Sequence, residues 1–115
     1  MAKRQDAQLA HDVREAIDRI QRYTSGLSYD AFLRDTMVQD AVVRNLEIIG
    51  EAAKGVSPDF RKKHKSIRWQ DIAGMRDRLI HHYSGVNWEI VWDVIGTKLP
   101  ELKAELDAPP GNAKK

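Results

Sequence analysis

Apolar residues recur along this chain at steps of three and four, the spacing that lines up one face of an α-helix. Leu9, Val13, Ala16, Ile17, Ile20, Thr24 and Leu27 predict a first helix over residues 7–24, ended by Ser25-Gly26. Ser28 to Leu33 predicts a short helical turn with Ser28 as its cap. A long helix follows from about Asp35 to Lys54, with the stripe Val38, Ala41, Val42, Leu46, Ile49, Ala52 and Ala53 and with Gly55 as its terminator. Ser57-Pro58-Asp59 reads as the cap and first turn of a short helix. A fourth main helix is expected from Trp69 to His82 or Tyr83, ahead of Ser84-Gly85. Asn87 caps the last one, which carries Ile90, Val91, Val94 and Ile95 and is weakened or kinked by Gly96 and Pro100 before Leu102 and Leu106. No segment sustains period-two alternation. The pattern predicts an all-α fold, an antiparallel four-helix bundle with extra short helices, as a single domain over residues 1–107. Residues 108–115, which include Pro109-Pro110-Gly111, have nothing to bury and are expected to form a disordered tail.

Composition narrows the chemistry. The 115 residues suffice for one domain, and 42% hydrophobic with 31% charged residues is a globular balance. With no cysteine, disulfides, thiolate metal sites and thiol nucleophiles are excluded. No apolar run approaches the roughly 20 residues that span a bilayer, and no secretory signal is visible, so a cytoplasmic protein without membrane association is expected. The net charge is only +2, but Arg61, Lys62, Lys63, Lys65 and Arg68 fall within eight positions without an acid among them. Such a run suits either a solvated connector or a surface that neutralises phosphates.

The stretch from Trp69 to Tyr83 is the most informative. On a helical wheel with Arg76 at zero, Trp69, Ile80, Tyr83, Ile72 and Leu79 all fall within about 60° of it. An arginine in the middle of an apolar arc calls for a partner, because a desolvated charge left alone costs several kcal/mol. Three readings stand: a side chain that reaches past the stripe to solvent, an ion pair with a carboxylate on another helix, or a guanidinium beside a cleft where it meets an anion. Asp77 and His81 are four apart and, on a continuous helix, are neighbours that can hydrogen-bond. Arg76 and His81 are about 140° apart on a straight helix. For both to reach one ligand, the helix must distort near its end or a second subunit must complete the cleft.

Arg76-Asp77-Arg78-Leu79-Ile80-His81-His82-Tyr83 resembles the Arg-x-x-x-x-His-x-Tyr motif of the HepT-like toxins, a branch of the HEPN superfamily. The segments Arg44 to Lys54, Ile67 to Ile72 and Val86 to Trp92 also resemble that branch. The resemblance implies a homodimeric helical protein that cleaves RNA without a metal or cofactor, the ribonuclease toxin of a type II or AMPylation-controlled toxin–antitoxin system. It implies Arg76 and His81 as catalytic residues and Asp77 as their polar support. Tyr83 is implied as the residue to which a minimal nucleotidyltransferase antitoxin transfers AMP. His82 stands at the variable position of the motif. Arg61, Lys62, Lys63, Lys65, Arg68 and Trp69 are candidates for contact with RNA, Trp69 as a wall of the cleft.

Other readings compete. A catalytically inactive module that binds nucleotide, or docks a minimal nucleotidyltransferase, would carry the same helices. A metal site built from His64, His81 and His82 is disfavoured, since adjacent helical histidines diverge by about 100°. Glu47 and Glu51, four apart on the long helix, suit a solvated face or a partner for Lys54. Asn45, on the apolar arc of that helix, either satisfies a buried donor near Arg76 or fills a polar gap in the core. Trp88 and Trp92 are assigned to core or dimer packing.

Overall fold

The computed structural model describes residues 2–81 and 85–108, with side chains over residues 5–80 and 85–108. These residues are predominantly helical. Helices α1 (Ala2–Thr24) and α3 (Thr36–Gly55) are the longest and pack along one another. Their stripes meet as periodicity requires: Val13, Ala16, Ile17 and Ile20 lie against a core that includes Val42, Leu46, Ile49 and Ala53, all fully buried. Gly26 turns the chain between them with a φ of +79°, a left-handed conformation that a side chain would strain. The short α2 (Tyr29–Leu33) starts with Ser28 Oγ accepting the Ala31 N–H, and α3 starts with Asp35 Oδ1 accepting the Val38 N–H. The buried Gln39 amide donates to the carbonyls of Phe32 and Leu33, closing the end of α2.

Gly55 plays a different part from the one its position suggests. It is the last residue of α3 and does not take a positive φ; Val56 follows in extended conformation. A Cβ on Gly55 would lie 3.0 Å from Leu9 Cδ1, so the glycine permits close approach of α1. Helix α4 (Pro58–Lys63) begins as expected, with Ser57 Oγ accepting the Phe60 N–H.

The expected helix from Trp69 to Tyr83 is not continuous. It is replaced by α5 (Trp69–Ala73), a break at Gly74, α6 (Met75–Leu79) and a two-residue strand β1 (Ile80–His81). Strand β1 pairs antiparallel with β2 (Gly85–Val86), Ile80 opposite Val86 and His81 opposite Gly85. The cause is local. Ile80 is β-branched and extended, at φ −118° and ψ 110°, and the Leu79 carbonyl accepts the Asn87 N–H at 2.9 Å. That bond takes the acceptor on which another helical turn would depend.

Helix α7 (Trp88–Asp93), capped by Asn87, passes through a π turn at Val94–Lys98 into α8 (Leu99–Asp107). The π turn lies where Gly96 and Pro100 predict a weak point. Pro100 has no N–H to offer Gly96, and Leu99 donates to Val94, five residues back. Trp88 and Trp92 pack on the fully buried ring of Phe32, with centroids 5.5 Å and 4.9 Å away. Helix α8 is tied to α1 by Arg14 with Asp107 and Lys103 with Asp18, both at 2.7 Å. The tail expected to be disordered lies, from residue 109 onward, outside the described residues.

Candidate functional site

Helix α6 is held by Met75 and Leu79, which are 4% and 3% exposed. Because α6 is a separate helix after Gly74, the arc facing the core is centred on these two residues and not on Arg76. Arg76 therefore stands at the rim: its side chain is 48% exposed and turns toward α3. This corrects the expectation of a guanidinium set in apolar surroundings. Its Nε donates to Glu47 Oε2 at 2.9 Å, an ion pair joining residues 29 apart in sequence. Asp77 Oδ1 lies 3.7 Å from Arg76 Nη1, and the Asp77 side chain is 85% exposed.

Arg76 and Glu47 border an open groove of about 530 Å³ between α1, α3 and α6. Leu9 and Asp12 line it from α1, and Arg44 and Glu51 from α3. Its charges are mixed, and Glu51 also pairs with Lys54 at 3.5 Å. Asn45, also on α3, is buried. Its amide donates to the Ala41 carbonyl, while Oδ1 has no partner among the described residues.

His81 lies in β1, two residues beyond the last residue of α6. The four-residue helical relation expected between Asp77 and His81 is therefore absent, since the helix stops at Leu79. The same break takes His81 out of the register that would set it about 140° from Arg76. His82 and Tyr83, and with them the expected same-face relation of Tyr83 to Arg76, lie outside the described residues.

The basic run divides. Arg61 donates to the Ala53 carbonyl at 3.1 Å and so serves the end of α3. Arg68 pairs with Asp71 at 2.7 Å. Lys62, Lys63 and Lys65 are exposed. Trp69 does not wall a cleft. It is 6% exposed, packs edge-on against Phe60 and donates its indole N–H to the His64 carbonyl at 3.1 Å. A buried indole has no face to offer a base, so Trp69 is removed from the candidates for RNA contact. His64 is itself buried, against Phe60, and its pKa is lowered, mainly by burial. Among the described residues, no group of three or more His, Asp or Glu side chains is arranged to hold a metal ion.

The model of the ribonuclease HepT-like family matches residues 13–108. The chain belongs to the HepT-like family. It is 40% identical over 105 residues to "Probable ribonuclease HepT" of Thermococcus cleftensis, covering 91% of this chain and 96% of that protein. To "Putative RNase TTE0752" of Caldanaerobacter subterraneus subsp. tengcongensis it is 45% identical over 98 residues, 85% of this chain and 87% of that one. No solved structure matches it. The family match runs from the second half of α1 to the end of α8 and takes in the whole Arg76 to Tyr83 motif and the α3 and α6 walls of the groove, while Leu9 and Asp12 on its α1 side precede it.

Reading the sequence missed one feature of this HepT-like site: Glu47 as the carboxylate that meets Arg76. The two share no local spacing. The available signal was the position of Glu47 beside the buried Leu46, at the edge of the α3 stripe where a neighbouring helix can reach it.

Proposed function

We propose that this chain is a metal-independent endoribonuclease, an antiparallel helical bundle working as a homodimer, with Arg76 and His81 as its catalytic residues. The observation that carries the reading is the HepT-like match over residues 13–108, within which the Arg-x-x-x-x-His-x-Tyr motif is complete. The tethered, half-exposed Arg76 beside an open groove supports it. So does the end of α6 at Leu79, which supplies the distortion that a joint Arg–His site requires.

The chemistry follows from the side chains. The His81 imidazole takes the proton of an RNA 2′-hydroxyl as that oxygen attacks the neighbouring phosphorus. The bond from phosphorus to the 5′-oxygen breaks, and the imidazolium returns a proton to that leaving oxygen. An imidazole titrates near neutrality and suits both transfers, worth about 10²–10⁴-fold in rate. Arg76 stays charged at any working pH and stabilises the crowded phosphorane through its Nη donors. The products are a 2′,3′-cyclic phosphate and a 5′-hydroxyl. DNA, which has no 2′-hydroxyl, is not a substrate. Asp77 supports the arginine, and Lys62, Lys63 and Lys65 attract the RNA backbone.

In this reading the chain is the toxin of a toxin–antitoxin pair, and a minimal nucleotidyltransferase silences it by transferring AMP to Tyr83. The added phosphate competes for Arg76 and repels RNA. The test incubates purified protein with tRNA or mRNA in excess EDTA. Cleavage by wild type but not by Arg76→Ala or His81→Ala supports the reading; equal decay in all three overturns it. Full sensitivity of Tyr83→Phe to the antitoxin would overturn the modification site.

A further inference from the structure

We infer that Glu47 is a positioning residue for Arg76, fixing the plane of its guanidinium so that the Nη edge faces the substrate phosphate. The inference rests on the ribonuclease reading above and concerns a residue outside the family motif. Arg76 sits on a helix of only five residues, between Gly74 and the extended Ile80, and nearly half of its side chain is exposed. An arginine so placed has many rotamers, and holding one of them costs side-chain entropy. Glu47 meets that cost from a stiffer element. It lies in the middle of the 20-residue α3, next to the fully buried Leu46, and its own side chain is only 32% exposed.

The geometry of the bond decides what it leaves free. Glu47 Oε2 takes the Nε–H at 2.9 Å, on the stem side of the guanidinium. Nη1 makes an ion-pair contact with Asp77 at 3.7 Å, and among the described residues neither Nη group donates a hydrogen bond. The two Nη groups therefore remain as a fork that matches two phosphate oxygens. A carboxylate at this place also lowers the net positive charge, so it does not act by raising affinity for RNA in the ground state. Its contribution belongs to kcat, not to KM, because orientation matters most where the phosphorane charge develops.

The experiment uses the full chain and a defined single-stranded RNA, with wild type, Glu47→Ala, Glu47→Gln, Arg76→Ala and Glu15→Ala compared. Glu15 pairs with Arg19 on α1 and controls for loss of one negative charge. Glu47→Ala is expected to lose about 10- to 100-fold in kcat with KM unchanged or lower, the scale of a misplaced catalytic group. Glu47→Gln, which keeps an acceptor, is expected to recover most of that loss, and Glu15→Ala to match wild type. In ¹⁵N-arginine NMR spectra, the Arg76 Nε–H signal should be displaced and slow to exchange in wild type and join the exposed arginines in Glu47→Ala. Circular dichroism checks that each variant is folded. Loss of cleavage in Arg76→Ala with wild-type or higher kcat in Glu47→Ala overturns the positioning role alone. Wild-type cleavage no faster than Arg76→Ala overturns the ribonuclease reading and this role with it.

Discussion

Asp6, near the start of α1, accepts both the backbone N–H and the hydroxyl of Ser57, at 2.8 Å and 2.6 Å, and thereby holds the residue that caps α4. Asp6 is 6% exposed, so these bonds are made largely out of water. Removing the carboxylate leaves the Ser57 N–H without its acceptor. Asp6→Ala is expected to cost about 2 kcal/mol, in the range for hydrogen bonds to a charged group. Chemical denaturation of the two proteins measures this, and a difference below about 0.5 kcal/mol would show that water takes over the role of the carboxylate.

His64 gives stability a pH dependence. Burial is the main cause of its lowered pKa, the positive charges of Arg14 and Lys63 act in the same sense, and a hydrogen bond with the Glu105 backbone opposes them. The folded protein therefore prefers the neutral imidazole, and the unfolded chain, titrating near 6.5, takes up its proton first. The contribution is fully present above the unfolded value and is lost as pH falls through it toward the folded value. The melting temperature of wild type should drop between pH 7.5 and pH 5 by more than that of His64→Gln. Parallel pH profiles for the two proteins would contradict this.

Much of the fold is legible in the sequence wherever signals are local. The stripes of α1 and α3, the caps at Ser28, Ser57 and Asn87, and the weak point at Gly96 and Pro100 all depend on residues within a few positions of one another. The stretch from Trp69 to Tyr83 fails because a single wheel assumes a single helix. Gly74 interrupts the register, and Ile80, once extended, pairs with Val86. A wheel drawn for α6 alone puts Met75 and Leu79 inside and Arg76 at the rim. The partner of Arg76 is beyond reach for another reason: Glu47 is brought to it by the packing of α3 on α6, which no local pattern encodes. The motif itself is legible as a pattern of residue types, and that pattern does not depend on a continuous helix to carry it.

Gly85 is the second position at which the backbone itself requires glycine. Its φ is +82° and it stands opposite His81 in the strand pair. Among the described residues a Cβ would meet nothing within 4 Å, so the penalty expected for Gly85→Ala is one of conformation. A cost of about 1–2 kcal/mol is expected. Because the strain falls on the strand pair that holds His81, ribonuclease activity should fall by more than the loss of folded protein accounts for. Activity measured per folded molecule, with the folded fraction from circular dichroism, separates the two effects.

The lysines of the basic run should act on RNA binding and not on chemistry. Lys62, Lys63 and Lys65 are exposed, whereas Arg61 is engaged with Ala53 and Arg68 with Asp71. The triple alanine variant of the three lysines should raise KM and flatten the dependence of binding on salt, by up to about 0.7 in slope for each phosphate of a single-stranded RNA that is no longer neutralised. Its kcat should stay near wild type. Arg61→Ala should instead lower stability, since it frees a carbonyl at the end of α3.

The most direct test of the central claim is the chemistry of the cut ends. A single-turnover cleavage in excess EDTA, resolved by mass spectrometry, is expected to yield 2′,3′-cyclic phosphate and 5′-hydroxyl termini, made by wild type and not by Arg76→Ala or His81→Ala. Termini carrying 3′-hydroxyl and 5′-phosphate groups, or equal yields from all three proteins, would contradict it.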